Sequence, residues 1–412
     1  MTEFLSFILL SLLLVQCSAP SRFNKTAFSR KDESSLVRVL LDDDLQKKTV
    51  SFDAPVVLRN GQEKILNINA GEKFSLSADE KGISLKMGKK KYSIDLCDIE
   101  PEPGEEFLTY KGKSYKGNFS VLNSQGKLLL VNSLGLEDYL KGVLYSEMGV
   151  ASAKEDDLEA LKAFAVCARN YTVLKLEQPG SRQFDLYSDT RDQVYDGSHP
   201  SKTLINRAVD ETRNLILKYN GQPAAVFYFS SCGGRTENAD YVFRQKGIPY
   251  LKGVEEGDDP FCRIAPGYEW QESYSQQEIL NCLTGAGYIK KGEYAVKNIE
   301  IKSRFESGRV NELVISLEDS DRAALDVVII GNKIRYAIRS KASKSLLKST
   351  MFDIKPVFED GSLVKVTFQG RGNGHGVGLC QWGAIGQSRK GRKFEDILNF
   401  YFPGTELGEM EQ

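Results

Sequence analysis

Histidine is almost missing from this chain. Two occur in 412 residues, His199 and His375, which excludes a multi-histidine metal centre and an active site built on several imidazoles. Neither sign of charge is in excess: 55 Lys and Arg against 56 Asp and Glu leave a net charge of −1. No global basic field draws in nucleic acid, and no acidic surplus points to a basic partner. The seven cysteines contain no CxxC pair, so zinc-ribbon and thioredoxin-like sites fail on spacing. No internal repeat and no long low-complexity tract is found. What is present is ordinary for a folded protein: 41% hydrophobic and 27% charged residues supply a core and exclude wholesale disorder. The length fits two or three domains, or one large domain with an appendage.

The first segment is apolar from Phe4 to Val15 apart from two serines, with no charge between Glu3 and Arg22. It is too short for a comfortable membrane span and fits a signal-peptide core. Leu14-Val15-Gln16-Cys17 resembles the lipobox of bacterial lipoproteins. It departs from it in the larger Gln16 and in a leading segment without Lys or Arg. The expectation is a signal peptide over 1–17, lipid on Cys17, a polar tether over 18–35, and an exported, membrane-anchored protein of the cell envelope. A cleaved signal without lipid and an uncleaved anchor are the alternatives; all three export the chain.

Residues 36–127 read as β-rich, with short apolar runs between turns such as Asn60-Gly61. Helices are predicted over 136–148, 155–176 and 201–212, followed by a hairpin of 215–219 and 224–230 about Asn220-Gly221. Residues 271–365 read as an inserted strand-rich lobe, with a helix near 275–283, strands at 298–304, 312–317 and 326–330, and a short helix or turn near 344–349. The chain closes with a glycine-rich loop, 370–378, and a helix over 393–401. Strands and helices come in blocks, so the fold class is mixed α+β, with a β-rich N-terminal part, a helical catalytic region and a strand-rich inserted lobe.

Glu147 is the sharpest candidate for chemistry. Leu136, Leu140, Val143 and Glu147 share one face of the first helix, because eleven residues at about 100° each return to within roughly 20° of the start. A carboxyl on the apolar face is desolvated, its pKa should rise, and it suits proton donation to a glycosidic oxygen. Otherwise it sits past the buried stripe and is exposed. Arg169 lies at the edge of the apolar stripe of the second helix, where an Arg pairs with a carboxylate, binds one, or snorkels to solvent. The run from Gly370 to Ala384 sets alternate glycines around His375, so backbone can approach a ligand closely; Gln381 and Trp382 suit a sugar's hydroxyls and face. A tight turn with a capping histidine is the plainer explanation. Ser231 has no G-x-S-x-G elbow around it, against a serine hydrolase. Cys167 is most simply a small core residue. Cys232 and Cys262 lie in loop sequence where a bridge would close a 30-residue excursion, or stay free and buried. A zinc site drawing on Cys232, Cys262, Cys380 or His375 is conceivable but not demanded by spacing.

Taken in order, LEDYLKGVLYSEM, LKAFAVCARNYTV, DQVYDG, FSSCGGRTENADYVF, YLKGV and RGNGHGVGLCQWGA resemble the sporulation stage II protein D family, which includes the cell-wall proteins called amidase enhancers. The resemblance runs from about 128 to 403 and marks a catalytic core of 128–270 and 366–403. It implies a lytic transglycosylase acting on peptidoglycan glycan strands, preferentially those stripped of stem peptides, with the Glu of S-E-M, here Glu147, as catalytic acid. Arg169, Gln193, Tyr195, Ser231, Gly374, His375 and Gln381 become candidates for sugar binding. Asp138, Glu237 and Asp240 are available should a second carboxylate act. Some members hold zinc with a close Cys pair and a His. Here only Cys232 sits near that position, so no cofactor is expected, zinc stays open, and a Cys232–Cys262 disulfide is preferred. A cell-wall amidase is a possible partner, and a non-catalytic, glycan-binding enhancer of it is the alternative function.

Overall fold

The computed structural model describes residues 36–45, 49–79, 82–148, 153–178, 183–199, 203–243, 247–343 and 345–411. The expected signal segment, tether and Cys17 lie outside the described residues. No helix among those described is long and apolar enough to cross a membrane. The fold is mixed α+β, and the chain divides into two units.

The first unit takes the described residues from 36 to 135 and those from 183 to 198. Along Leu36–Asp42 and Val56–Asn60 buried and open residues alternate, the pattern of strands with one face inward. The main sheet has seven strands in the order Leu186–Tyr187, Leu36–Asp42, Lys127–Gly135, Asn118–Ser124, Cys97–Pro101, Val56–Asn60 and Glu63–Ile68. All pairs are antiparallel except the first, where Val39 lies beside Leu186. The sequence boundary expected at 127/128 falls at the start of the strand Lys127–Gly135, which belongs with the strands before it.

The second unit is organised about a 19-residue helix. Helices α1 (Leu136–Glu147), α2 (Leu158–Leu176), α3 (Thr203–Glu211), α4 (Ala239–Val242), α5 (Gln276–Gly285), α6 (Lys333–Ala337), α7 (Gln381–Arg389) and α8 (Phe394–Tyr401) belong to it. Helices α1, α3, α7 and α8 pack on α2, which is buried almost all round, as a core helix must be. Its polar residues are therefore internally satisfied. The Asn170 amide donates to the carbonyls of Leu217 and Ala224 and accepts from Leu217 N–H. Thr172 donates to Ala168 O.

A second core within this unit gathers Trp270, Ile279, Ile299, Ile315, Ile329 and Phe368. It joins the sheet Glu269–Ser275, Ser362–Arg371, Phe352–Glu359 to the sheet Tyr294–Arg304, Val310–Asp319, Ala324–Ile330. The expected strands and α5 are there. The short helix, however, is α6, ahead of the 344–349 stretch, where Leu346 instead bridges to Arg339. The hairpin also differs. Asn220 and Gly221, with φ of 51° and 75°, form the turn, but the return strand stops at Pro223. Tyr228–Phe229 pairs instead, in parallel, with Leu379–Cys380.

Candidate functional site

Glu147 is the last residue of α1. Leu140 and Val143 on its face are fully buried, while Glu147 itself is partly buried. Tyr145, two residues before it, stacks on His199. The other end of α1 is fixed by charge. Arg169 is fully buried and grips Glu137 with both prongs, Nε to Oε1 at 3.0 Å and Nη2 to Oε2 at 2.7 Å, while Nη1 donates to Leu215 O at 3.0 Å. The expected sugar-binding role of Arg169 is thereby corrected: its fork is turned inward and ties α1 to α2 and to the strand Leu215–Tyr219.

Gln193 and Tyr195 belong to the first unit and are buried there. The Tyr195 hydroxyl donates to Asn132 Oδ1 at 3.0 Å and its ring meets Tyr115 edge-on. Both are too deeply buried to meet a sugar, against the expectation.

The glycine-rich segment does adopt the backbone its composition suggested. Gly372, Gly374, Gly376 and Gly378 have φ between 76° and 115°. Within it, His375 is spent on structure. Val377 N–H donates to Nδ1 at 3.1 Å, which leaves the ring proton on Nε2, donated to Tyr228 O at 3.0 Å. Burial, reinforced by the charge of Arg335, pushes the imidazole down to about 3. His375 is thus a neutral clamp between the glycine loop and the strand Tyr228–Phe229, and the capping histidine is the reading that fits. Ser231 is buried and exchanges backbone hydrogen bonds with Asn373. Gln381, the first residue of α7, sends Nε2 toward the carbonyl of Glu147 at 3.5 Å. Trp382 beside it is partly exposed. Of the spare carboxylates, Glu237 is buried and held by Ser307 Oγ and Asn238 N–H. Burial raises its affinity for a proton.

The parallel pairing of Tyr228–Phe229 with Leu379–Cys380 brings three sulfurs together. Sγ of Cys232, Cys262 and Cys380 and a carboxylate oxygen of Glu256 all lie within 4.8 Å of one another, and all four residues are buried. Cys232 and Cys262 sulfurs are 3.4 Å apart and unbonded in this structure. The expected disulfide is corrected accordingly: the pair meets, but in a pocket shared with a third cysteine and a carboxylate. Hydrogen bonds from Cys232 and Cys380 pull the Cys262 thiol down, while burial pushes Cys232 and Cys380 up and Glu256 up to about 7. Glu256 carries no motif and escaped sequence reasoning.

Comparison with known proteins bears on the family of the chain. The family described as Stage II sporulation protein matches residues 124–219, and a domain of unknown function, DUF8618, matches residues 260–378. A Stage II sporulation protein D of Bacillus amyloliquefaciens is 31% identical over 68% of this chain and 76% of its own length. An uncharacterised protein of Brachyspira hyodysenteriae is 30% identical over 90% of this chain and 93% of its own. An amidase enhancer of Bacillus subtilis is 26% identical over 85% of this chain, which spans only 50% of that relative's length. The chain belongs to the stage II sporulation protein D family.

Proposed function

We propose that the protein is a peptidoglycan lytic transglycosylase in which Glu147 serves as both acid and base. A role at the cell wall goes with the family and with the likeness to an amidase enhancer. The observation that carries the finer reading is the setting of Glu147: a partly buried carboxyl at the C-terminal end of a helix with one buried face. A carboxyl so placed is the kind of group that can donate a proton to a glycosidic oxygen.

In the reaction, Glu147 donates its proton to the oxygen between N-acetylmuramic acid C1 and N-acetylglucosamine, and the C1–O bond breaks. The carboxylate then takes the proton of the muramic acid C6 hydroxyl as that oxygen bonds to C1. Glu147 ends protonated, no water is consumed, and the product carries a 1,6-anhydro ring. A hydrolase would need a second carboxylate at about 5–9.5 Å; Glu237, buried and doubly held, is poorly suited to activate water. Trp382 and Gly374, both partly exposed, are the proposed sugar contacts, with Gln381 set behind them against the Glu147 carbonyl.

The test is Glu147→Gln with denuded glycan strands. Wild-type protein is expected to release fragments with anhydro ends, and the variant to lose at least about 10²–10⁴-fold in rate while still binding glycan. Reducing ends, or undiminished cleavage by the variant, would refute the mechanism. Binding without cleavage by the wild type would favour the second reading, a non-catalytic enhancer of a cell-wall amidase, suggested by the amidase-enhancer relative. Attachment to the envelope through lipid on Cys17 completes the proposal and is read from the mass of the mature N-terminus.

A further inference from the structure

Four buried groups, Cys232, Glu256, Cys262 and Cys380, converge within 4.8 Å, and nothing in the proposed chemistry uses them. We infer that they form a closed, four-coordinate site for Zn²⁺ that locks the core of the second unit, independently of whether Glu147 cleaves glycan. Tetrahedral zinc with Zn–S near 2.3 Å requires sulfur–sulfur edges of about 3.8 Å; Cys232 and Cys262 already stand at 3.4 Å. Soft thiolates with one carboxylate and no open position suit a structural zinc rather than a hard cation.

The surroundings are those of a ligand shell. Cys380 Sγ accepts from the backbone N–H of Cys232 at 3.2 Å and Gly383 at 3.3 Å, and Cys232 Sγ accepts from Gly234 N–H at 3.3 Å. Glu256 is oriented from both sides, Oε1 accepting from Tyr401 at 2.6 Å and Oε2 from Cys262 N–H at 2.9 Å. Such outer partners fix ligands and stabilise their charged forms. Cys380 is the N-cap of α7, where the helix dipole favours a thiolate. Arg309 is buried, with Nη2 donating to Cys232 O at 2.7 Å and Arg235 O at 3.4 Å, and among the described residues Nε and Nη1 have no hydrogen-bond partner. Its charge offsets the excess negative charge of three thiolates and a carboxylate around one Zn²⁺. A disulfide accounts for less: with three thiols in the pocket, any bridge leaves one over. Zinc entry displaces the thiol protons to solvent and oxidises nothing.

The site bears on Glu147 through one residue. Gln381 follows Cys380 directly and reaches the Glu147 carbonyl, so fixing Cys380 fixes the start of α7 against the end of α1.

The experiment is metal analysis of the full chain purified without chelator. About one zinc per chain is expected, with no loss of mass to a disulfide under non-reducing conditions. Replacement by Co²⁺ should give thiolate-to-metal charge-transfer absorption and tetrahedral d–d bands. Glu256→Gln and Cys262→Ser should each lower affinity by more than about 100-fold, beyond the usual effect of an outer partner, while Cys282→Ser, outside the cluster, should change nothing. A metal-free wild type, with three reactive thiols or with a Cys232–Cys262 bridge, overturns the proposal. So does an unaltered cobalt spectrum in Cys262→Ser.

Discussion

Arg169 and His375 are both sequence candidates for binding that turn out to be internal fasteners, and each makes a distinct prediction. Arg169 is fully buried against a nearly buried Glu137. Breaking such a pair strands a charge and costs about 3–5 kcal/mol, whereas replacing both partners by apolar residues is often close to neutral. Arg169→Met is expected to lower unfolding free energy in urea by that amount, and Glu137→Met/Arg169→Met to recover most of it. An Arg engaged only with sugar would leave stability unchanged. For His375 the effect is one of pH. The folded ring titrates near 3 against an ordinary 6.5, so between those values the unfolded chain holds a proton that the folded chain refuses. Stability should therefore fall as pH drops below 6.5, by up to about 1.4 kcal/mol per pH unit from this group. Comparing wild type with His375→Gln at pH 5 and 7.5 isolates it: the variant should show a shallower loss on acidification. The imidazole NMR signals of His375 should stay put from pH 8 to 5.

At the level of elements, strong periodicity or capping was legible and tertiary pairing was not. Helices α1, α2, α5 and α8 follow from apolar spacing, acidic first turns and the Ser275–Glu278 capping box. Glu147 was visible for the same reason, as a carboxyl continuing an apolar face. Helix α7 was missed because QWGAIGQSR contains two glycines, each costing about 1 kcal/mol in a helix relative to alanine. The structure explains them. A Cβ on Gly386 would stand 2.2 Å from the backbone oxygen of Phe261, and one on Gly383 2.1 Å from both Glu256 Oε1 and the Tyr401 hydroxyl. The helix can lie on the turn Phe261–Ile264 only without those atoms. Gly386→Ala, which should favour an isolated helix, is expected to destabilise the protein by about 1–3 kcal/mol through overpacking against backbone that cannot rotate away. A raised melting temperature would contradict this. The cluster of Cys232, Glu256, Cys262 and Cys380 had no such local signature, since its members come from separate segments and Cys380 is brought in by the pairing of Tyr228–Phe229 with Leu379–Cys380.

For the whole molecule, domain limits do not follow chain order. The first unit needs the later segment ending at Ser198. Phe184, Leu186 and Tyr195 are buried in it, and Asp185 takes two bonds from the Arg38 guanidinium and one from its backbone N–H. Burying side chains of this kind is worth about 1.5–3 kcal/mol each, a sum comparable with the whole stability of a domain, about 5–15 kcal/mol. A fragment ending at Gly135 is therefore expected to give a collapsed amide NMR spectrum. One joining 36–135 to 183–198 through a flexible linker should give a dispersed spectrum. Sequence composition placed the boundary from the strand-rich run alone, and nothing in residues 183–198 announces their allegiance.

The parallel pairing of Tyr228–Phe229 with Leu379–Cys380 also sets an order in time. Were the chain exported N-terminus first, as the proposed envelope attachment requires, Glu147, Cys232 and Cys262 would emerge long before Cys380. Closing so distant a contact comes late in folding. Throughout that interval Cys232 and Cys262 would lack the third sulfur of their cluster, in surroundings that favour oxidation. On that route, arrival of Leu379–Cys380 would set whether those sulfurs end as a bridge or as the proposed ligands.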